Sequence, residues 1–263
     1  MICVISPAKR LSTAPAPAAQ SFPQFSAEAA QLVAIARTLS VTDLCALMHI
    51  SPALGALNHA RFADFANQPA QPAAFLFDGD TYTGLDARSL PADALHWANG
   101  HLRILSGLYG LLRPLDSIMP YRLEMGSRLK NPNGATLYAF WGDKIARALS
   151  TAAQEASSRA LINCASTEYF SAVDTSALHI PVITPVFLET QNDAGKVISF
   201  WAKRARGALA RYICEHHLIN PDDLRGFDLG GYRFDKARSG TQQMVFTRPY
   251  QPTPKAQKLA QMA

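Results

Sequence analysis

At 263 residues with 48% hydrophobic side chains, the chain can bury a substantial core as one large domain or two small ones. That composition excludes a mostly disordered protein, and no apolar run approaches the roughly 20 residues a membrane-spanning helix needs. The formal charge of +5 favours a polyanionic partner, and where the excess sits matters more than its size.

In chain order, Ile2 to Ile5 reads as a short buried strand, and the basic pair after it argues against a signal peptide. The Pro/Ala/Ser-rich SPAKRLSTAPAPAAQ is expected to be irregular. From Ser26, an expected N-cap, Leu32, Ile35, Ala36 and Leu39 recur at helical spacing. Thr42 to Phe65 predicts two short helices broken at HISP. Helices are predicted near Pro91 to Leu105 and Tyr138 to Ala153, with Pro120 to Met125 extended between them. ALINCA is a buried-type strand, and Val182 to Glu189 with Lys196 to Ala202 is expected to form a hairpin about Asn192, Asp193 and Gly195. A helix over Arg204 to His217 and strands near Tyr232 and Met244 to Thr247 complete the order. With no internal repeat or composition break, this pattern predicts one mixed α/β domain.

The four cysteines, Cys3, Cys45, Cys164 and Cys214, are scattered in apolar runs without a CxxC pair. They read as reduced, mostly buried thiols, which fits a cytoplasmic protein. His96 and His101 stand five apart and Glu215-His216-His217 is not HExxH, so neither a metal site nor a cofactor is expected.

Several segments could carry chemistry. FDGDTYTGL places Asp78 and Asp80 about a glycine, followed by Thr81, Tyr82 and Thr83, which suits a polar turn or a site. Lys9 in SPAK follows a strand end, where α/β sheets bind ligands, or is a solvated turn residue. Arg113, Arg122, Glu124 and Arg128 follow one another closely and can form an ion network or clamp an anion. Arg122 and Glu124, two apart in an extended segment, share one face. In NCASTEYF, Ser166 or Thr167 caps a following helix, and Glu168 is favoured by its dipole. Lys203, Arg204, Arg206 and Arg211 form a run with no acid before Glu215, so its charge is locally unpaired and suits phosphate.

LCALMHISPALGALNHARF can be laid on the frame LxxLxGhGxxxA of DNA-gripping helical hairpins, with His49 and Ser51 where glycines are expected. Ser51-Pro52 is a good helix start, and a free helix N-terminus attracts anions. An ordinary helical hairpin fits the same residues.

Taken together, SPAK, FDGDTYTGL, LRILSGLYGLLRPLD, PYRLEMGSRL, LYAFWGD, NCASTEYF, ISFWAKRARG and GFDLGGYRFD resemble the YaaA family of bacterial peroxide-stress proteins over residues 1–248. The resemblance implies a cytoplasmic protein that limits iron-driven peroxide damage. It also implies one compact α/β body over 1–248, a helix-hairpin-helix within 42–66 and a basic cleft for double-stranded or distorted DNA. A flexible tail over 249–263 and a monomeric state are expected. No reaction is established for the family. On this reading DNA is contacted by His49, Ser51, Lys203, Arg204, Arg206 and Arg211. The rival is an enzyme acting on a nucleic acid or nucleotide-like anion, with Lys9, Asp80, Tyr82, Arg122 and Glu124 as candidate catalytic residues. A shared cleft requires Lys9, Asp80, Arg122 and Lys203 to lie close together.

Overall fold

The protein is described here by a computed structural model covering residues 1–192 and 194–257. Its centre is a set of parallel strands: β1 (Ile2–Ile5) lies between β5 (Leu102–Ser106) and β8 (Leu161–Cys164). β8 continues to β9 (Val182–Gln191), and β9 to β12 (Gln243–Pro249). Three antiparallel strands trim this set: β6 (Gly110–Leu112) beside β5, β10 (Ala194–Lys196) beside β9, and β11 (Arg233–Phe234) beside β12. Every residue of β1 and β8 is buried, so neither strand alternates. Such continuous apolar runs are what a parallel sheet covered on both faces demands.

Two small ladders lie outside the main sheet. β2 (Arg10–Leu11) pairs with β4 (Phe77–Asp78), and β3 (Gln71–Pro72) pairs with β7 (Ser117–Ile118).

The helices are α1 (Ser26–Arg37), α2 (Val41–Met48), α3 (Pro52–Ala63), α4 (Ala73–Leu76) and α5 (Asp80–Leu85). They continue with α6 (Ala92–His101), α7 (Leu137–Trp141), α8 (Lys144–Glu155), α9 (Thr167–Phe170) and α10 (Ser199–Glu215). α10, with α6 beside it, packs across β1, β8 and β9, while α8 packs against β1 and β6. The expected mixed α/β architecture is therefore what the chain forms. Among the described residues no single helix is long and apolar enough to cross a membrane.

Several local expectations are corrected. The predicted helix over Pro91 to Leu105 stops at His101, and Leu102 begins the central strand β5. Leu102 to Leu112 is too apolar for periodicity to separate helix from strand, and burial on both faces selects the strand. The segment turns back through Gly107 to Gly110, where Gly110 takes φ +67° against the ring of Trp141. Trp141 closes the turn by donating its indole N–H to Gly107 O at 3.1 Å. The helix predicted over Tyr138 to Ala153 is two helices, α7 and α8, parted at the left-handed Gly142. Lys196 to Ala202 is not a strand: β10 ends at Lys196 and α10 begins at Ser199. Asp193, in the predicted turn, lies outside the described residues. Ser26 is the first residue of α1 rather than its cap, and its hydroxyl donates to Pro23 O at 2.6 Å. Pro120 to Met125 forms no strand, although its side chains are mostly buried.

At the far end, the backbone of Tyr250 donates to Thr190 O and that of Gln251 to Glu189 Oε2. The tail expected from residue 249 is thus tied to β9 through Gln251, and residues 258–263 of it lie outside the described residues.

Candidate functional site: two adjoining clefts at the strand ends

The C-terminal ends of β1 and β8 open into a cleft of about 460 Å3. Ser6 and Ser166 stand where the two strands end. Ser6 Oγ accepts from the Ser166 backbone N–H at 2.8 Å, which joins the two loops. Lys9 and Arg10 enter from the segment after β1. Asp78, Gly79 and Asp80 enter from the FDGDTYTGL segment, and Lys203 and Arg206 from α10.

FDGDTYTGL is therefore neither a plain turn nor a loop. Phe77–Asp78 pairs with Arg10–Leu11, and Asp80–Leu85 is a short helix lying against α10. Glycine makes that crossing possible. A Cβ on Gly207 would lie 1.8 Å from Thr81 O, and one on Gly84 would lie 2.0 Å from Arg204 O. The two backbones touch, which fixes Asp80 relative to Lys203 and Arg206.

A second cleft, also about 460 Å3, shares Lys9 and Glu168 with the first. It is further lined by Arg122, Glu124, Arg128 and His49. Arg122 Nε donates to Glu124 Oε1 at 2.9 Å, and Lys9 Nζ lies 3.5 Å from the same oxygen. Among the described residues, the other oxygen, Glu124 Oε2, is buried without a hydrogen-bond partner. Lys9, Asp80 and Lys203 thus share one cleft, and Lys9 and Glu124 carry it on to Arg122.

The charges divide into those already matched and those left over. Arg10 pairs with Asp78 at 2.7 Å, and that contact raises the Arg10 pKa above its ordinary value. Glu168 accepts from the Gly126 N–H at 3.1 Å. Among the described residues, Lys203, Arg206, Arg128 and Asp80 have neither an ion-pair nor a hydrogen-bond partner in their side chains. Among the described residues lining the two clefts, the charges without an ion pair are three cations, Lys203, Arg206 and Arg128, to two carboxylates, Asp80 and Glu168, since a backbone N–H leaves the Glu168 charge uncompensated.

Three predicted site residues are placed differently. Tyr82 is buried and donates its hydroxyl to Ser6 O at 3.2 Å. Burial pushes its phenol well above the ordinary range, so it stays protonated, and at the wall of the first cleft its hydroxyl is already given to Ser6 O. Arg211 is consumed internally, donating to Leu85 O, Asp86 O, Ser89 Oγ and Glu215 Oε1, the last at 2.6 Å. It clamps α5 and the turn after it to α10. Arg204 lies over Phe200 and Trp201 and faces a separate hollow with Tyr232 and Arg248. The basic run is thus split: helical spacing puts Lys203 and Arg206 together in the cleft and sends Arg204 and Arg211 elsewhere.

α2 and α3 form a helical pair joined by His49 to Ser51. His49 takes the left-handed conformation at φ 52°, the geometry for which glycine is favoured, and lines the second cleft. Ser51 caps α3 by accepting from the Leu54 N–H at 3.4 Å. Gly55 meets α2, since a Cβ there would come within 2.3 Å of Cys45 Sγ.

Ser6 and Glu168 are not singled out as site residues by the sequence, and Arg128 enters there only as one member of an ion network or anion clamp. Glu168 reads locally as a helix-start glutamate; only the fold brings it to the wall between the clefts. Of the four thiols, Cys3 and Cys214 are buried and poorly disposed to peroxide chemistry. Cys3 is raised well above the ordinary thiol range, chiefly by its contact with Cys164, and burial raises Cys214 to about 12.

The family model described as "Peroxide stress protein YaaA" matches residues 1–238. A UPF0246 protein of Cereibacter sphaeroides is 56% identical over 255 residues, covering 94% of this chain and 99% of that relative. A UPF0246 protein of Dinoroseobacter shibae is 56% identical over 266 residues, covering 99% of this chain and all (100%) of its own. One from Phenylobacterium zucineum is 49% identical over 262 residues, covering 98% of each chain. With nine-tenths of its length matched by the family model and the relatives aligned end to end, the chain belongs to the YaaA family of peroxide stress proteins, also called UPF0246.

Proposed function

We propose that this protein works in the cytoplasm, as a monomer, by binding double-stranded or distorted DNA during peroxide stress and so limiting iron-driven damage to it. The observation that carries the reading is the unpaired charge of Lys203 and Arg206 at the cleft on α10. Cations held on a helix without a carboxylate partner suit a phosphate backbone, which supplies charge without base information. Arg128, at the second cleft, extends the same surface, and the His49 to Ser51 turn of the helix-hairpin-helix lies beside it.

Replacing Lys203 and Arg206 together with alanine is expected to weaken duplex binding at least about tenfold, equally for unrelated sequences. The slope of log affinity against log salt is expected to fall by about two units. Neither side chain has a partner to lose, so the variant is expected to fold as well as the parent. An unchanged salt slope in the folded variant removes α10 from the interface.

A second reading, an enzyme acting on the bound nucleic acid, is favoured by the position of Asp80 and Glu168 in a small cleft at the strand ends, where α/β sheets place their active sites. Asp80→Asn separates the two. A binding protein keeps or gains affinity, because asparagine retains an acceptor oxygen and removes a negative charge that opposes phosphate. An enzyme loses about 10²-fold in rate while still binding. Loss of peroxide protection in cells, with DNA binding by the purified variant intact, moves the assignment to chemistry at Asp80.

A further inference from the structure

Resting on the DNA-binding reading, we infer that the cleft between β1, α5 and Ser166 receives a single unstacked nucleotide of the bound strand, base inward. Size is the first reason. A cavity of about 460 Å3 lies in the range of small-ligand pockets. A duplex, whose major groove alone is about 12 Å across, cannot enter it. Only a nucleotide swung out of the stack reaches Ser6 and Ser166 at the strand ends.

The distribution of charge is the second reason. Lys203 is exposed and Arg206 half-buried, and both are unpaired, so phosphate is met on the α10 side. Asp80 and Glu168 face the same space with acceptor oxygens only, which repel phosphate and accept N–H groups from a base edge. Ser6 Oγ donates to Ser166 Oγ at 3.3 Å, which leaves the Ser166 O–H to serve either sugar or base. The lining therefore orders the ligand with its phosphate at the cations and its base toward the carboxylates.

The third reason is the neighbouring cleft. It has the same volume, shares the Lys9 and Glu168 wall, and carries Arg122, Arg128 and His49 beyond it. A strand leaving the first cavity over that wall meets a second nucleotide-sized space, where Arg128 is unpaired among the described residues and Arg122 is paired with Glu124. A lone small-molecule pocket would not need this continuation.

The test uses the full-length protein and duplexes carrying 2-aminopurine, whose fluorescence rises when the base leaves the stack. One duplex is fully paired, and one has the reporter in a short central bubble; binding is followed in parallel by mobility shift. We expect tighter binding of the bubble, by about tenfold or more, because its unpairing cost is already met. We also expect a several-fold rise in reporter fluorescence on saturation. Ser166→Phe, which fills the cavity, is expected to bring the bubble-to-duplex affinity ratio toward one and abolish the rise; Ala8→Trp serves if that variant does not fold.

DNA bound with no fluorescence change and no bubble preference overturns the nucleotide assignment and leaves DNA binding standing. No binding of either duplex overturns both. A folded cavity-filled variant that keeps the rise also overturns the assignment. Free deoxynucleoside monophosphates, titrated by calorimetry, are expected to bind far more weakly than the bubble. Tighter binding of a free nucleotide would assign the cavity to a soluble ligand instead of a strand.

Discussion

Glu189→Ala is expected to destabilise the protein by about 3–5 kcal/mol, read as a lower denaturation midpoint. Glu189 on β9 and Arg248 on β12 are register partners, buried, with Arg248 Nε 2.6 Å from Glu189 Oε1. Tyr232 donates its hydroxyl to that oxygen at 2.6 Å, and the Gln251 N–H reaches the other at 3.0 Å. The guanidinium lies between the rings of Trp201 and Tyr232, 4.6 and 4.5 Å from their centroids. Removing the carboxylate strands a buried cation and two further donors in low dielectric, and this cost exceeds the lost attraction. Replacing the pair whole, as Glu189→Leu with Arg248→Met, leaves no orphaned charge and is expected to cost far less than Glu189→Ala alone. A single-variant loss below about 1 kcal/mol would sink the claim that this pair anchors a buried network, in which, among the described residues, only Arg248 Nη2 goes without a partner.

That network bears on the site through Trp201. The ring is part of α10, and its indole N–H donates to Gln251 O at 2.9 Å. Two residues further on is Lys203. The β9–β12 edge thus pins the start of the helix that presents the basic face. Folded Glu189→Ala protein, if it can be prepared, should also bind DNA less tightly.

What the sequence makes legible is local. The buried runs ICVI and LINC announce parallel strands because both of their faces must be apolar. Ser51-Pro52 announces a helix start because cap chemistry is set by adjacent residues. Lys203 and Arg206 stand three apart, but with the helix expected from Arg204 their shared face becomes legible only once α10 is seen to begin at Ser199. Two kinds of feature are not legible. The first is the type of a short all-apolar run: LRILS is compatible with helix or strand until its neighbours β1 and β6 are known. The second is any pairing across long sequence separation. Glu189 and Arg248 look like two ordinary surface charges, and Arg211 looks free until Leu85 to Ser89 folds onto it. A charge run in sequence shows total charge; which members remain unmatched depends on carbonyls and carboxylates elsewhere in the chain.

Gly207→Ala is expected to destabilise by about 3 kcal/mol even though alanine is the better helix former. Inside a helix the exchange would ordinarily gain about 1 kcal/mol. Here the added methyl would meet the backbone of α5 at three atoms: Thr81 O at 1.8 Å, Thr81 C at 2.7 Å and Leu85 N at 2.9 Å. No side-chain rotation relieves a clash with backbone, so α5 must move bodily, and steric loss outweighs propensity. Gly100→Ala in α6 supplies the control. Among the described residues, nothing beyond the adjoining residues and backbone of its own helix lies within 4 Å of a Cβ there, so the same substitution is expected to be neutral or to stabilise by up to about 1 kcal/mol. The signs should be opposite in denaturation curves run side by side. Function should follow the same contact, since α5 carries Asp80 and α10 carries Lys203 and Arg206. Folded Gly207→Ala protein should lose DNA affinity with no change in its charge. Equal stability of Gly207→Ala and the parent would mean that the two helices do not touch backbone to backbone, and that the cleft is held open by something else.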